Sequence, residues 1–429
     1  MTEPTLHGGS TASNCYEMLA KGCSQPHIIP MPTEAQEARG SAGAAVGCVG
    51  VTRLVLTDFR NYREARLTLG TQAVVLTGPN GAGKTNLLEA VSFLAPGRGL
   101  RGAKLTEIDR RQEAGCGAPS SGSTRGWAVA AVVATSRGVL RVGTGRDGTA
   151  GDRRVVRIDG ESVRGQAALG ERLGVVWLTP PMDRLFLEGP SGRRRFLDRL
   201  VLGLDPAHAS RVAAYEQALR ERSRLLRDGP ADPAWLAALE EVMAEQGVAV
   251  AAGRRDAVQR LDRACAKADG PFPRARMRLI GTVEDWLESM PALAAETKLA
   301  STLAANRQSD ARAGGALIGP HRSDLSVSLA EKGIAAELAS TGEQKALLIS
   351  ILLAHTRLQQ AVRGEPPLLL LDEIAAHLDP SRRAALFDAL IRLDSQAWLT
   401  GTDAALFAPL RCQAQFLSVH DGNVAATFS

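Results

Sequence analysis

The sequence predicts an α/β fold, a mixed sheet with helices, interrupted by an inserted α-helical arm. Three observations carry this. Residues 72–94 read as a short apolar strand, a glycine-rich loop and a helix. Residues 366–373 read as a buried strand of leucines ending on two carboxylates. Between them, from about Gly192 to Ser309, the apolar spacing changes from alternation to i, i+3, i+4.

Residues 1–49 are rich in Gly, Ser, Ala, Thr and Pro without a sustained period, and read as a disordered extension or a start codon assigned too early, with Val51 an alternative start. Order is expected from Val51. Residues 51–59 alternate as a strand and residues 60–70 continue as a second after a turn. Residues 127–135, 139–145 and 153–160 follow as an antiparallel meander with Gly and Asp turns, and residues 174–180 as another strand. Residues 206–226 and 233–268 read as helices, each with proline near its start, where a missing N–H costs nothing. They lack the sustained heptads of a long coiled coil. A loop (residues 319–324), a strand, a helix opened by a glycine motif (340–355), the leucine strand, a last strand (396–403) and a hairpin around Asp421-Gly422 complete the chain. The expected organisation is 1–49 outside the fold, a head in two parts (51–190 and 311–429), and the arm, 191–310, between them.

Composition narrows the classes. The chain has 429 residues, 45% apolar and 23% charged, which suffices for a buried core. No charge-free apolar run of about 18 residues exists, so a transmembrane helix is not expected. A secretory signal is not expected, given acidic Glu3 and the lack of an apolar stretch behind it. The six cysteines (15, 23, 48, 116, 265 and 412) show no CxxC spacing and no accompanying histidine pair. That argues against zinc and a disulfide framework, and scattered free thiols fit a reducing cytoplasm. The formal charge of +5 leans toward anionic partners without naming one.

The chemistry sits in four strings. Residues 78–85, Gly78-Pro79-Asn80-Gly81-Ala82-Gly83-Lys84-Thr85, match GxxxxGK[ST] between a strand and a helix, and with Asn86 they are the candidate nucleotide-binding residues. Such glycines let backbone N–H groups turn around a polyphosphate, and the helix N-terminus adds positive potential. Lys84 would reach the β- and γ-phosphates of ATP and Thr85 would ligate Mg²⁺. The leucine strand delivers Asp372, able to bind Mg²⁺ through water, and Glu373, placed as general base for the attacking water. Ser340-Thr341-Gly342-Glu343-Gln344 opens a helix. It reads either as a phosphate-binding signature, with Ser340 and Gly342 as ligands, or as a Ser N-cap with Glu343 closing a capping box. Asp379-Pro380 is either a D-loop residue or a helix N-cap.

Together these motifs make the predicted fold an ABC-type P-loop ATPase head, and from about Val51 to the C-terminus the chain resembles the RecF family of bacterial recombinational repair. The resemblance rests on residues 56–62 (LTDFRNY), 96–101 (PGRGLR), 189–199 (GPSGRRRFLDR) and 319–324 (GPHRSD), in order and bracketing an arm of the right size. It implies an ATP-dependent homodimer with shared active sites, in which the signature faces the other subunit's nucleotide. It further implies binding to single-stranded and gapped or junction DNA, cooperation with RecR and RecO in loading RecA, and roles in replication and the SOS response. Phe59, Arg60 and Asn61 are expected near the nucleotide base or α-phosphate. Arg98, Arg101 and Lys104, and the triplet Arg193–Arg195, are candidate DNA contacts, or else solvated or internally paired arginines. Three positions depart from the pattern: Pro181 where a Q-loop glutamine is usual, Gly401-Thr402-Asp403 without a switch histidine, and Ser323 where aspartate is usual. The first two imply slow turnover. The rival readings are a transporter ATPase subunit, which would keep that glutamine and histidine and carry a shorter insertion, and a non-DNA ATPase switch. An SMC-type ATPase would need far more heptad sequence.

Overall fold

The computed structural model describes residues 49–110, 126–147, 153–229, 232–268 and 270–427. The expectation for residues 1–48 lies outside them. Order starts slightly earlier than Val51: Val49 is buried and bridges to Ser395, and the first strand begins at Gly50.

Strand β1 (Gly50–Phe59) turns back through Arg60 and Asn61 into β2 (Tyr62–Thr68), and β3 (Ala73–Thr77) leads into the P-loop helix, Lys84–Ser92. The meander follows as β4 (Ala128–Thr135), β5 (Gly138–Arg146), β6 (Arg154–Ile158) and β7 (Glu161–Ser162). These form a six-stranded antiparallel sheet in the order β2-β1-β4-β5-β6-β7. Strand β8 (Val175–Leu178) belongs to a different sheet.

Helices Pro190–Leu204, His208–Asp228 and Pro233–Ala266 build the base and shaft of the arm, and Thr282–Ser289, Ala292–Ala305 and Arg307–Ala313 complete it. The second helix starts at His208 rather than Pro206, because Ala207 occupies the cap. The arm is not purely helical, as the spacing suggested. Strand β9 (Ala275–Ile280) runs antiparallel to β10 (Asp324–Leu329), which also pairs with β11 (Ile334–Ala335). Its alternation is genuine, with Ala275 and Met277 buried and Arg276 and Arg278 exposed, but it is too short to stand out beside long helices. The boundary of the arm falls inside its longest helix. Met243, Val248 and Ala251 join an arm core with Tyr215 and Leu299, whereas Val258, Leu261 and Cys265 join the head core with Leu347 and Ile351. Within the arm, fully buried Arg222 donates to Glu240 (2.9 Å), Asp310 (2.8 Å) and the Leu303 carbonyl (2.7 Å).

The signature helix, Thr341–Arg363, precedes β12 (Leu368–Leu371); helix Pro380–Arg392, β13 (Ala397–Gly401), β14 (Ala414–His420) and β15 (Asn423–Ala426) follow. The second large sheet runs β15-β14-β3-β13-β12-β8, parallel except for edge strand β15. Both its faces are covered. Val74, Leu76, Leu368 and Leu370 pack toward the antiparallel sheet, and Val75, Leu369 and Leu371 toward the helices. That is why its strands read as unbroken apolar runs. Their C-terminal ends, at Thr77, Leu371 and Gly401, lie side by side and deliver the chemistry.

Candidate functional site

The P-loop leaves β3 at Thr77 and enters its helix at Lys84. Two glycines in it are obligatory. At Gly78 (φ 148°) a Cβ would lie 2.1 Å from the Val419 carbonyl oxygen, and at Gly83 (φ 113°) it would meet Asn61 and Tyr62 at 2.5 and 2.6 Å. The loop is held from outside by four bonds: Asn61 Nδ2 donates to the Ala82 carbonyl (3.2 Å), as does the Gly422 amide (3.2 Å), the Tyr62 hydroxyl to that of Gly83 (3.0 Å), and Asn86 Nδ2 to Asn61 Oδ1 (2.7 Å). Lys84 is buried and curls back, its ammonium donating to the carbonyls of Gly78 (2.8 Å) and Pro79 (2.9 Å). Burial lowers its pKa, against the opposing pull of Glu373 and Asp372.

Register places Asp372 beside this loop. Asp372 caps β12, its amide donating to the Leu178 carbonyl at 3.0 Å, and its carboxylate receives the Thr85 hydroxyl at 3.0 and 3.1 Å. Buried Thr400, on neighbouring β13, donates to Asp372 Oδ1 at 2.7 Å and accepts the Glu373 amide at 2.8 Å. Glu373 follows in the left-handed region (φ 51°), costly for a side chain of this size. Thr400 was missed by sequence reasoning, which looked for a histidine beyond β13 and not for a hydroxyl inside it. Thr85 and Asp372 offer only oxygen donors, the set that suits Mg²⁺.

Around this centre lies a polar shell. Arg60, itself at φ 55°, donates twice to buried Glu89 (2.8 and 2.7 Å) and once to the Glu107 carbonyl (2.8 Å). Glu89 also takes Arg101 at 2.8 Å, which reaches Asn86 Oδ1 at 2.7 Å. Arg60 and Asn61 thus brace the P-loop and its helix, and Arg101 turns inward while Arg98 and Lys104 are exposed with no ion pair among the described residues. The arginine triplet divides likewise. Arg193 pairs with Asp324 (2.7 Å), Arg194 donates to the Ser323 carbonyl (2.8 Å), and Arg195 is exposed.

The signature string forms the capping box. Ser340 accepts the Glu343 amide at 3.4 Å, and the Glu343 carboxylate takes the Ser340 amide (2.9 Å) and hydroxyl (2.8 Å). The Lys332 ammonium and these two donors hold Glu343 down to about 2. Asp379 is likewise an N-cap, accepting from the Arg382 amide at 2.9 Å. Gly342 is different: a Cβ there would meet nothing within 4 Å, so the fold of the chain itself does not require glycine.

The AAA domain family matches residues 53–112. Among curated relatives, the DNA replication and repair protein RecF of Mesorhizobium japonicum is 49% identical over 382 residues, 88% of this chain and 98% of that protein. That of Rhizobium meliloti is 48% identical over 380 residues, 88% and 99%. The chain belongs to the RecF family. Its fold is that of the recombination mediator protein RecF of the RecFOR pathway, solved as RecF-ATP and RecF-ATPrS. Those structures superpose at TM-scores of 0.75 and 0.74 with 21% identity, covering 90% of this chain and 99% and 100% of theirs. One departure from the RecF pattern now has a physical reason. Ser323 is fully buried and donates to Glu284 at 2.5 Å, while burial raises the Glu284 carboxyl. An aspartate at 323 would set two buried carboxylates against each other.

Proposed function

We propose that this chain is an ATP-dependent DNA-binding protein of recombinational repair and replication restart, a slow ATPase acting mainly as a switch. The observation that carries the reading is the convergence of Lys84, Thr85, Asp372 and Glu373 beyond the C-terminal ends of β3 and β12, the two parallel strands that flank β13. Lys84 exchanges the two loop carbonyls for β- and γ-phosphate oxygens, and the loop amides cradle the chain of phosphates. Thr85 and Asp372 would hold Mg²⁺, which supplies charge neutralisation at the phosphates. Glu373, fixed by its amide to Thr400, accepts the proton of the attacking water. Pro181 brings no hydrogen-bonding side chain to this site, and Thr400-Gly401-Thr402-Asp403 brings no imidazole, which supports slow turnover.

Gly342 supports the shared-site arrangement. A glycine that its own chain leaves uncrowded suits close approach by another molecule, here the γ-phosphate held by a second copy in an ATP-dependent homodimer. Membership of the RecF family supports DNA as the partner, single-stranded and gapped or junction duplex, with RecO and RecR as collaborators in loading RecA. Exposed Arg98 and Lys104 are the cations best placed for phosphate contact. No helix among the described residues is long and apolar enough to cross a membrane. The test is binding to duplex, single-stranded and gapped DNA with and without ATP. ATP-dependent preference for gapped DNA is expected; indifference to DNA in every state would return the chain to the transporter reading.

A further inference from the structure

Beside Thr85 and Asp372 opens a cleft of about 380 Å³, whose far wall is built by Trp177, Pro181 and helix Pro190–Leu204. Three arginines line it, and they differ in how their charge is satisfied. Arg101 is paired with Glu89. Arg195 is exposed, so water already solvates it. Arg199 is half-buried and pairs with no carboxylate among the described residues: its guanidinium stacks over Trp177 at 4.5 Å and lies 5.6 Å from the centre of Phe196, and one nitrogen points at the Met182 sulfur at 3.5 Å. Its Nε is buried without a hydrogen-bond partner. The basic neighbours on the same helix are better satisfied, Arg193 by Asp324 and Arg194 by the Ser323 carbonyl.

We propose that Arg199 is a nucleotide-binding residue that engages the terminal phosphate of ATP across this cleft, supplying from the arm-base helix the contact that Pro181 cannot. This rests on the reading of the P-loop as a nucleotide site. A triphosphate seated on Lys84 and Thr85 presents its last phosphate toward the cleft that Thr85 and Asp372 line. A guanidinium stacked on an indole is oriented by its face and donates from its edge, where here only the weak acceptor Met182 sulfur is met, and its planar fork matches phosphate oxygens. Burial without a counter-ion pulls Arg199 down to about 9, a desolvation cost that an arriving anion relieves. ADP, ending one phosphate short, leaves that cost in place. Arg199 therefore separates ATP from ADP, and it does so on the helix that also carries the Arg193 link to β10 and Asp324.

The experiment compares ATP and ADP affinities, each with Mg²⁺, for the full chain and for Arg199→Met, which keeps an apolar contact with Trp177 but no charge. Trp177 emission supplies a second readout, isolated by subtracting a Trp177→Phe protein. ATP affinity is expected to fall at least about tenfold with ADP affinity unchanged. ATP, and not ADP, should alter Trp177 emission in the parent, and Arg199→Met should abolish that change. Arg199→Lys should recover part of the ATP preference. ATP and ADP affinities both equal to the parent's in Arg199→Met would overturn the proposal and leave the P-loop reading intact. Parallel loss of both nucleotides with a lowered melting temperature would also overturn it, marking Arg199 as scaffold. A parent chain that binds neither nucleotide, while Lys84→Ala changes nothing, would remove the underlying reading as well.

Discussion

Lys345, buried in the second turn of the signature helix, places its ammonium 3.2 Å from the carboxylate of Asp183. Asp183 belongs to the turn Pro180–Arg184, the segment at the Q-loop position that walls the phosphate-side cleft. The pair therefore ties the start of helix Thr341–Arg363 to the wall of that cleft within one chain. Asp183→Asn leaves a buried ammonium without its counter-ion and should cost roughly 1–3 kcal/mol, less than a fully buried pair because Asp183 is partly exposed. Lys345→Met alone should cost less, and the double variant should recover most of the loss. Urea unfolding of the four proteins gives the coupling; strict additivity would show that the two residues do not act as a pair.

Lys84 and Glu373 should fail in different ways. Lys84→Ala removes a phosphate contact from the P-loop, so ATP affinity, ATP-driven dimerisation and hydrolysis should be lost together. Glu373→Gln removes the base and keeps the shape, so the ATP-bound dimer should accumulate while turnover drops at least about a hundredfold. Sizing chromatography with ATP, beside a steady-state rate, distinguishes them. A Glu373→Gln chain that stays monomeric with ATP bound would count against the shared site.

His355 gives a pH dependence of known sign. It is buried in the signature helix, donates Nε2–H to the Leu200 carbonyl at 2.8 Å, and burial pulls it down to about 4. Folded, it stays neutral to about that pH; unfolded, it takes a proton below its ordinary value of 6.5. Stability present above pH 6.5 is therefore lost as the pH falls toward 4, by about 2 kcal/mol between pH 7 and pH 5. In His355→Gln that difference should shrink by a similar amount. Unfolding free energies of both proteins at the two pH values decide it, and an unchanged difference would exclude His355 as the source.

Much of the site was legible because its motifs are local. The P-loop needs its glycines, lysine and threonine in one string, and a run of four leucines before Asp372 announces a strand buried on both faces. What was not legible is whatever neighbouring strands and helices bring together. Thr400 meets Asp372 only through the parallel register of β13 with β12, and Glu89 becomes an arginine hub only once the Arg60 turn and the Arg101 loop converge on it. Strand β9 was lost for the same reason: six residues of alternation carry little weight until β10 lies alongside. The arginine strings divided in a way no composition shows, since pairing depends on which carboxylate or carbonyl the fold supplies.

DNA affinity should fall steeply with salt, and the two exposed cations of the loop after the P-loop helix that have no ion pair among the described residues should account for part of the slope. Each phosphate neutralised by Arg98 or Lys104 releases counter-ions, so replacing both with Ala should flatten the log–log dependence by about one unit for each phosphate left without its cation. Arg101→Ala should act otherwise. By leaving Glu89 with Arg60 alone it should disturb nucleotide affinity more than the salt slope. Titrations of gapped DNA over a range of salt concentrations compare the three; a parental slope in the double variant would move the DNA surface elsewhere.

The signature should act in trans. If Ser340 and Gly342 bind a phosphate held by the second copy, Ser340→Arg should still bind ATP on its own P-loop yet fail to dimerise or hydrolyse. Mixed with Lys84→Ala it should regain activity, because that pairing contains one intact P-loop facing one intact signature. The capping box makes a competing demand on the same residue. Loss of its bonds to Glu343 should cost about 1 kcal/mol of stability in Ser340→Arg or any other variant that cannot cap the helix. Ser340→Asp separates the two roles, since it retains an N-cap but places negative charge where phosphate would sit. A pure cap predicts full activity for Ser340→Asp and no rescue of Ser340→Arg by any partner. The trans site predicts an inactive, stably folded Ser340→Asp that Lys84→Ala rescues. ATPase rates across mixing ratios, with melting temperatures of each protein alone, discriminate between them, and zero activity in every mixture of folded, associating proteins would leave Ser340 as a cap.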